Sequence, residues 1–357
     1  MAEPDDFVVA AGRLLTGMID VTSDVAALDG SGQWAVVLPY DAAPVCARFS
    51  SVQQAASSWP RSPAAPPMTL SASGGWRSSL GRPEFVKGVT TIREAIGAGD
   101  VYQVNLCRRL STPVPEGFDI VALASALADR NPAPHAAVVN LPSIGMRIVS
   151  ASPERFLRRD RELVESEPIK GTAVGEEGLT DKDRAENVMI VDLVRNDLGR
   201  VCRYGSVSVA ALCRTERHPG LVHLVSTVRG RLRAGIGWPA ILDATFPPGS
   251  VTGAPKHAAM GMIEALEPCP RRAYCGAIGW VDADRRQADL NVAIRTFWVE
   301  DGMLNLGTGA GITWGSDAEE EWAETELKAR RLLAVATGST ASLSADSASV
   351  EPTRARP

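Results

Sequence analysis

The sequence reads as an α+β protein built on antiparallel sheet, and two observations carry that expectation. Residues 82–333 alternate amphipathic helical stretches with β-rich segments. The β-rich segments succeed one another at hairpin-like spacing, which favours antiparallel pairing over the helix-linked crossovers of parallel strands. A length of 357 residues with 45% hydrophobic content allows a core between two layered sheets or two modest domains.

Residues 1–81 read as a short strand-rich lead-in, with apolar runs at 34–38 and 45–49 broken by Gly, Ser and Pro. WPRSPAAPP at 59–67 is too proline-rich for a helix interior or a central strand and reads as a connector. A helix over 83–98 ends at Gly99, and VYQVNLCRRL after it alternates like a strand. Further strands are expected at 136–141, 148–150, 162–165, 275–282, 287–296 and 297–306. Thr180 with Asp183 resembles a capping pair for a helix to Leu198, stopped by Gly199. Ser316 with Glu319 does the same for a helix over 317–333. From 334 to 357 the chain is rich in Ala, Ser and Thr without apolar periodicity, so a disordered tail is expected.

Composition removes several classes of function. No apolar run approaches the eighteen or so residues of a membrane span, and MAEPDDFVVA is no signal peptide, so no membrane partner and a cytoplasmic location are expected. A net charge of −5 leaves no broad cationic surface for nucleic acid. Six cysteines without a CxxC pair encode neither a disulfide framework nor a structural zinc site. Neither GxxxxGK[ST] nor a strand-helix GxGxxG is present, TGAPK at 252–256 is too short to qualify, and no GxSxG elbow occurs. The 37 cationic residues include only five lysines, at 87, 170, 182, 256 and 328. In so arginine-rich a chain, a retained lysine marks places where a compact amine that can lose its proton is needed.

Glu186 shares a helix face with Ile190 and Leu193, so its carboxylate points with the apolar stripe and needs a cation. Glu321, Glu324 and Lys328 stack on one stripe of the last helix. A solvated face is the plain interpretation, but GTGAGITWGSDAEEE puts a glycine-rich turn just before it, where bare amides can bind an anion. Glutamates from two helices, without His or Cys at ligand spacing, favour a hard ion such as Mg²⁺. Arg295, placed on a strand between apolar residues, adds a fixed fork for a carboxylate. The implied ligand is a small dianion or diacid.

The blocks GDVYQVNL, SPERF, PIKGT, DRAENVMIVDLVRNDLGRV, VHLVSTVRG, TFPPGSVTGAPK, YCGAIGW, NVAIRT and EEEWAETELKA occur in order over 82–333 and together resemble the chorismate-utilising family. The resemblance is closest to its aminodeoxychorismate synthase branch, mainly because PIKGT carries Lys170 where anthranilate synthases resemble PIAGT. Gln103 stands where isochorismate and salicylate synthases place a water-activating lysine. The resemblance implies a two-lobed α+β fold with large antiparallel sheets packed together, helices outside and the site between the lobes.

By the same resemblance Lys170 is the covalent nucleophile, Glu154 of SPERF protonates the departing 4-hydroxyl, and His223 lies by the ring, to orient it, to shuttle a proton or simply as a core histidine. Glu154 has a plainer alternative, a salt bridge to Arg155 or another arginine. Glu186 and Glu324, with Glu321 nearby, are the implied Mg²⁺ ligands. Arg295, Tyr274, Lys328 and the amides of Gly309, Ala310 and Gly311 form the carboxylate-binding set, while Gln103, Gly171, Thr172 and Thr252 contact substrate. The implied reaction is amination of chorismate at ring carbon 4, toward p-aminobenzoate, with ammonia from a separate glutamine amidotransferase subunit. The alternatives are anthranilate synthase or aminodeoxyisochorismate synthase chemistry, or a silent scaffold for an amidotransferase. Ala310 in GAG has the anthranilate synthase form, Pro248 replaces a usual glycine, and the short lead-in argues against a regulatory tryptophan pocket.

Overall fold

The structure is a computed structural model that describes residues 6–55, 75–114, 117–173, 175–218, 221–338 and 351–352. Two antiparallel sheets share one strand, Arg13–Thr22. On one side this strand pairs with Phe7–Ala10, and pairing continues through Ala137–Leu141, Met146–Ser150, Thr296–Glu300, Met303–Ile312 and Gln103–Pro113. On the other it pairs with Val45–Gln54, and pairing continues through Gln33–Leu38, Ala277–Asp282, Gln287–Val292, Arg155–Asp160, Leu163–Glu167, Leu221–Arg231 and Ser208–His218. The strands of the lead-in therefore do not stand apart from residues 82–333; they join the two sheets. The 59–67 connector and most of 334–357 lie outside the described residues.

Alternation along the first sheet shows how the layers form. Val8, Ala137, Val139, Ile148 and Trp298 enter the large core shared with the second sheet, whereas their neighbours Val9, Val138, Val149 and Phe297 enter a core under helices. A period of two sends successive side chains to opposite faces, so strands apolar at nearly every position are those buried on both faces. The described residues hold six α-helices: α1 Arg82–Ala98, α2 Ile120–Arg130, α3 Asp181–Gly199, α4 Trp238–Thr245, α5 Lys256–Leu266 and α6 Ala318–Ala336. None is long and apolar enough to cross a membrane.

Helices α3 and α6 position the charged residues. The Thr180–Asp183 capping box forms as the sequence indicates, and Gly99 ends α1 at φ +86°. The start of α6 differs from expectation. Asp317, not Ser316, caps it by accepting from the Glu319 and Glu320 N–H groups, because the Ser316 hydroxyl instead donates to Glu321 Oε1 at 2.5 Å. α3 packs on Leu221–Arg231 and α6 on Met303–Ile312, so the two helices approach from different sheets.

Candidate active site

Lys170 lies on strand Ile169–Ala173, opposite Leu224. The pairing slips at Gly171, whose φ is +77° and where a Cβ would come within 2.9 Å of the Asp183 side chain. Only glycine suits both constraints, and the bulge re-aims the side chain before it. His223 is buried in the neighbouring strand, opposite Thr172.

From the other sheet comes Gln103, which is fully buried and whose amide nitrogen and oxygen both lack a hydrogen-bond partner. Leaving a buried amide unpaired costs about 1–3 kcal/mol per group, which sets Gln103 apart as a candidate for contact with a polar ligand. A Cβ on Gly311 would lie 2.5 Å from Gln103 Nε2 and 3.1 Å from Lys170 Nζ. Bare backbone at Gly311 thus lets the amine and the amide converge on one point.

Glu154 is 4% exposed. Burial raises its carboxyl to about 7, against weaker opposing contributions from the Ser250 hydroxyl, the Lys170 charge and the Ile169 backbone. Near neutrality it can therefore hold a proton to give. The salt bridge to Arg155 does not form, because that guanidinium pairs with Glu167 and, at 3.1 Å, with Asp289, and no other arginine pairs with Glu154 among the described residues.

Three glutamates and three of the five lysines form an alternating cluster between α3 and α6. Lys182 Nζ lies 3.4 Å from Glu321 Oε1 and 3.9 Å from Glu186 Oε1, and Lys328 Nζ lies 2.6 Å from Glu324 Oε1. Burial raises Glu186, with Glu324 adding to the rise and Lys170 and Lys182 opposing it. Burial also raises Glu321. Burial is the largest single influence on Glu324 and would raise it, but Lys328, Lys170 and a hydrogen bond with Glu321 together outweigh it and hold that carboxyl low. Among the described residues no three His, Cys, Asp or Glu side chains close on one point. Glu186 and Glu324 offer an open set of hard oxygens, which suits Mg²⁺, an ion that takes one or two carboxylates and completes its shell with water and ligand oxygens.

The anion-binding turn expected at 309–311 is instead regular strand, paired with 105–107. The opposite residues Asn105 and Cys107 send their N–H groups away, to the Thr252 carbonyl and the Glu267 carboxylate, each at 2.8 Å. Gly309 and Gly311 therefore also point their backbone groups outward, while those of Ala310 face the ladder. Consistent with this, the Gly309 carbonyl accepts from Lys328 Nζ at 3.0 Å. Two of the three expected amides face the edge carrying Lys328.

Arg295 lies not on a strand but in the bend between Gln287–Val292 and Thr296–Glu300, at φ +53°. Such a conformation costs a non-glycine residue about 1 kcal/mol or more and gathers at functional positions. Burial, reinforced by Arg331, lowers its affinity for a proton, and no carboxylate among the described residues pairs with it. Tyr274 is more remote: its ring fills the space beside Gly307, four residues along the strand from Gly311, or about 13 Å. The Thr252 hydroxyl donates to the Pro248 carbonyl at 3.0 Å, so its proton closes its own turn. Sequence reasoning missed Ser250, Ser316 and Lys182 as neighbours of the site. Only Lys182 left a signal, four residues before Glu186 in a lysine-poor chain.

The chorismate binding enzyme profile matches residues 22–334. The chain is 40% identical over 274 residues to anthranilate synthase component 1 1 of Haloarcula marismortui, covering 72% of this chain and 54% of that one. It is 37% identical over 317 residues to aminodeoxychorismate synthase component 1 of Klebsiella aerogenes, covering 85% and 69%. The crystal structure of anthranilate synthase component I from Streptococcus pneumoniae superposes with a TM-score of 0.73 at 26% identity, over 93% of this chain and 91% of that one. The chain thus spans from about half to two thirds of these two curated relatives' lengths. With the profile covering most of its residues and its two-sheet fold shared with such enzymes, the chain belongs to the chorismate binding enzyme family.

Proposed function

We propose that this chain aminates chorismate at ring carbon 4, as an aminodeoxychorismate synthase component, with ammonia from a glutamine amidotransferase subunit. The observation that carries this reading is the convergence of Lys170 Nζ with the unpartnered Gln103 amide at Gly311. Neutral Lys170 attacks ring carbon 2 as the 4-hydroxyl leaves, Glu154 gives that oxygen its proton, and water departs. Ammonia then forms the carbon 4 to nitrogen bond, the bond to Lys170 breaks with return of its electron pair, and ionised Glu154 accepts a proton from the new ammonium. Arg295 and the outward amides of Gly309 and Gly311 are suited to the substrate's carboxylates. Mg²⁺ held by Glu186 and Glu324 would supply a positive charge to fix one of them.

Relatives bearing the names anthranilate synthase and aminodeoxychorismate synthase are about equally similar, so amination at carbon 2 is the second reading. Purified chain with chorismate, Mg²⁺ and high ammonium separates the two. The expected product, identified by mass and retention, is 4-amino-4-deoxychorismate; fluorescent anthranilate as the sole product would replace the first reading with the second. The name component 1 implies a second component for those relatives, which is why a partner subunit is part of the proposal.

The metal assignment has its own test. Glu186→Gln or Glu324→Gln preserves shape and removes charge, so each variant is expected to keep its fold and need at least about tenfold more Mg²⁺ for half-maximal activity. A variant that titrates like the parent excludes that residue as a ligand.

A further inference from the structure

Lys182 stands in the first turn of α3, between Asp181 and Asp183. A helix N-terminus carries the positive end of the helix dipole, which suits the two aspartates and disfavours the lysine. The side chain leaves its own turn and bridges two helices, with Nζ 3.4 Å from Glu321 Oε1 on α6 and 3.9 Å from Glu186 Oε1. Glu321 is nearly sealed from solvent, whereas the lysine side chain is 52% exposed. One end of the pair is thus fixed, the fixed carboxylate being further anchored by Ser316. The other end is free to swing into water.

We infer that Lys182 is a built-in competitor of the divalent ion, its ammonium neutralising Glu186 and Glu321 until the ion enters and turns it out to solvent. The inference rests on reading Glu186 and Glu324 as ligands of that ion. Its physical basis is that half-buried carboxylates from two helices cannot be left uncompensated. An exposed lysine satisfies them reversibly, and an ion carrying two charges beside Glu186 repels it. Lys328 differs in holding both Glu324 and the Gly309 carbonyl, which ties it to the strand.

Mn²⁺ binding to the full chain, followed by electron paramagnetic resonance, tests this without any turnover. Lys182→Met is expected to bind Mn²⁺ about tenfold more tightly than the parent, because one repelling charge is gone. Lys182→Arg is expected to bind more weakly, since a guanidinium fork holds the carboxylates in two places. In the absence of ion Lys182→Met should melt lower than the parent, and Mn²⁺ should raise its melting temperature by more. If Lys182→Met binds Mn²⁺ equally or more weakly while Glu324→Gln abolishes binding, the competitor role is wrong and the metal reading stands. If neither parent nor Lys182→Met binds Mn²⁺ at millimolar concentration, the metal reading fails and the inference with it.

Discussion

Lys170→Ala is expected to keep the fold and lose carbon 4 amination by on the order of 10³-fold, with residual product shifted toward carbon 2. The side chain lies at a strand bulge, and its removal leaves the pairing of Ile169 with Val225 intact. The parent, incubated with chorismate and Mg²⁺ but no ammonia, should yield a covalent adduct by intact-protein mass spectrometry that maps to residue 170. Lysine can supply a neutral amine for that bond, and arginine cannot, because its guanidinium stays protonated. Lys170→Arg should therefore be as inactive as Lys170→Ala. Parental carbon 4 amination by Lys170→Ala, with no adduct on the parent, removes the covalent route.

Glu154→Gln should cost about 10²- to 10⁴-fold in turnover, the usual worth of a positioned general acid. The pH profile gives a sharper reading. The carboxyl must be protonated to act, and burial places its midpoint at about 7. The Glu154 contribution to the parent's turnover should thus fall as pH rises through about 7, seen as a downward bend in the profile that the residual activity of Glu154→Gln lacks. Stability moves in the same direction. The ionised form is the one disfavoured in the folded chain, so the parent loses stability as pH rises from the ordinary carboxyl range through about 7. Glu154→Gln should lose Glu154's share of that decline in melting experiments and leave only what other buried carboxyls such as Glu186 and Glu321 contribute. An unchanged alkaline limb in the variant would assign it to another group.

What could be read in advance was whatever depends on neighbours in sequence. The Gly99 stop of α1, the capping box of α3, the strand at 103–113 and the placement of Glu186 on an apolar face follow from local pattern. Gly199, by contrast, does not stop α3: it is still helical, and the C-cap is Arg200 in right-handed helical geometry. The long hairpin of Ser208–His218 with Leu221–Arg231 was not anticipated, because its edge strand carries two register irregularities and mixed polarity. Arg295 was put on a strand because NVAIRT alternates, whereas tertiary contacts break the strand there, with the Arg295 carbonyl accepting from Ala151 N–H. The glycines at 307, 309 and 311 look like turn residues in sequence. In the sheet each is small because a neighbour occupies its Cβ position: Tyr274, Cys107, and Gln103 with Lys170. The family motifs pointed to Lys170, Gln103, Glu186 and Glu324 individually, but only the fold brings α3 and α6 together from opposite sheets.

The way the first strands are shared between the sheets bears on how the chain can be made. Gln33–Leu38 emerges early from a ribosome, yet one of its two neighbours is Ala277–Asp282, and Phe7–Ala10 waits for Ala137–Leu141. About 240 residues separate the first pair, which at 5–20 residues per second is a delay on the order of 10–50 s. Through that interval the Gln33–Leu38 hairpin carries an unsatisfied edge of Trp34, Val36 and Val37, apolar enough to recruit a wrong strand. Long-range pairing of this kind also slows folding after release. Recombinant yield should therefore depend on chaperone supply and growth temperature more strongly than the size of the finished core would suggest.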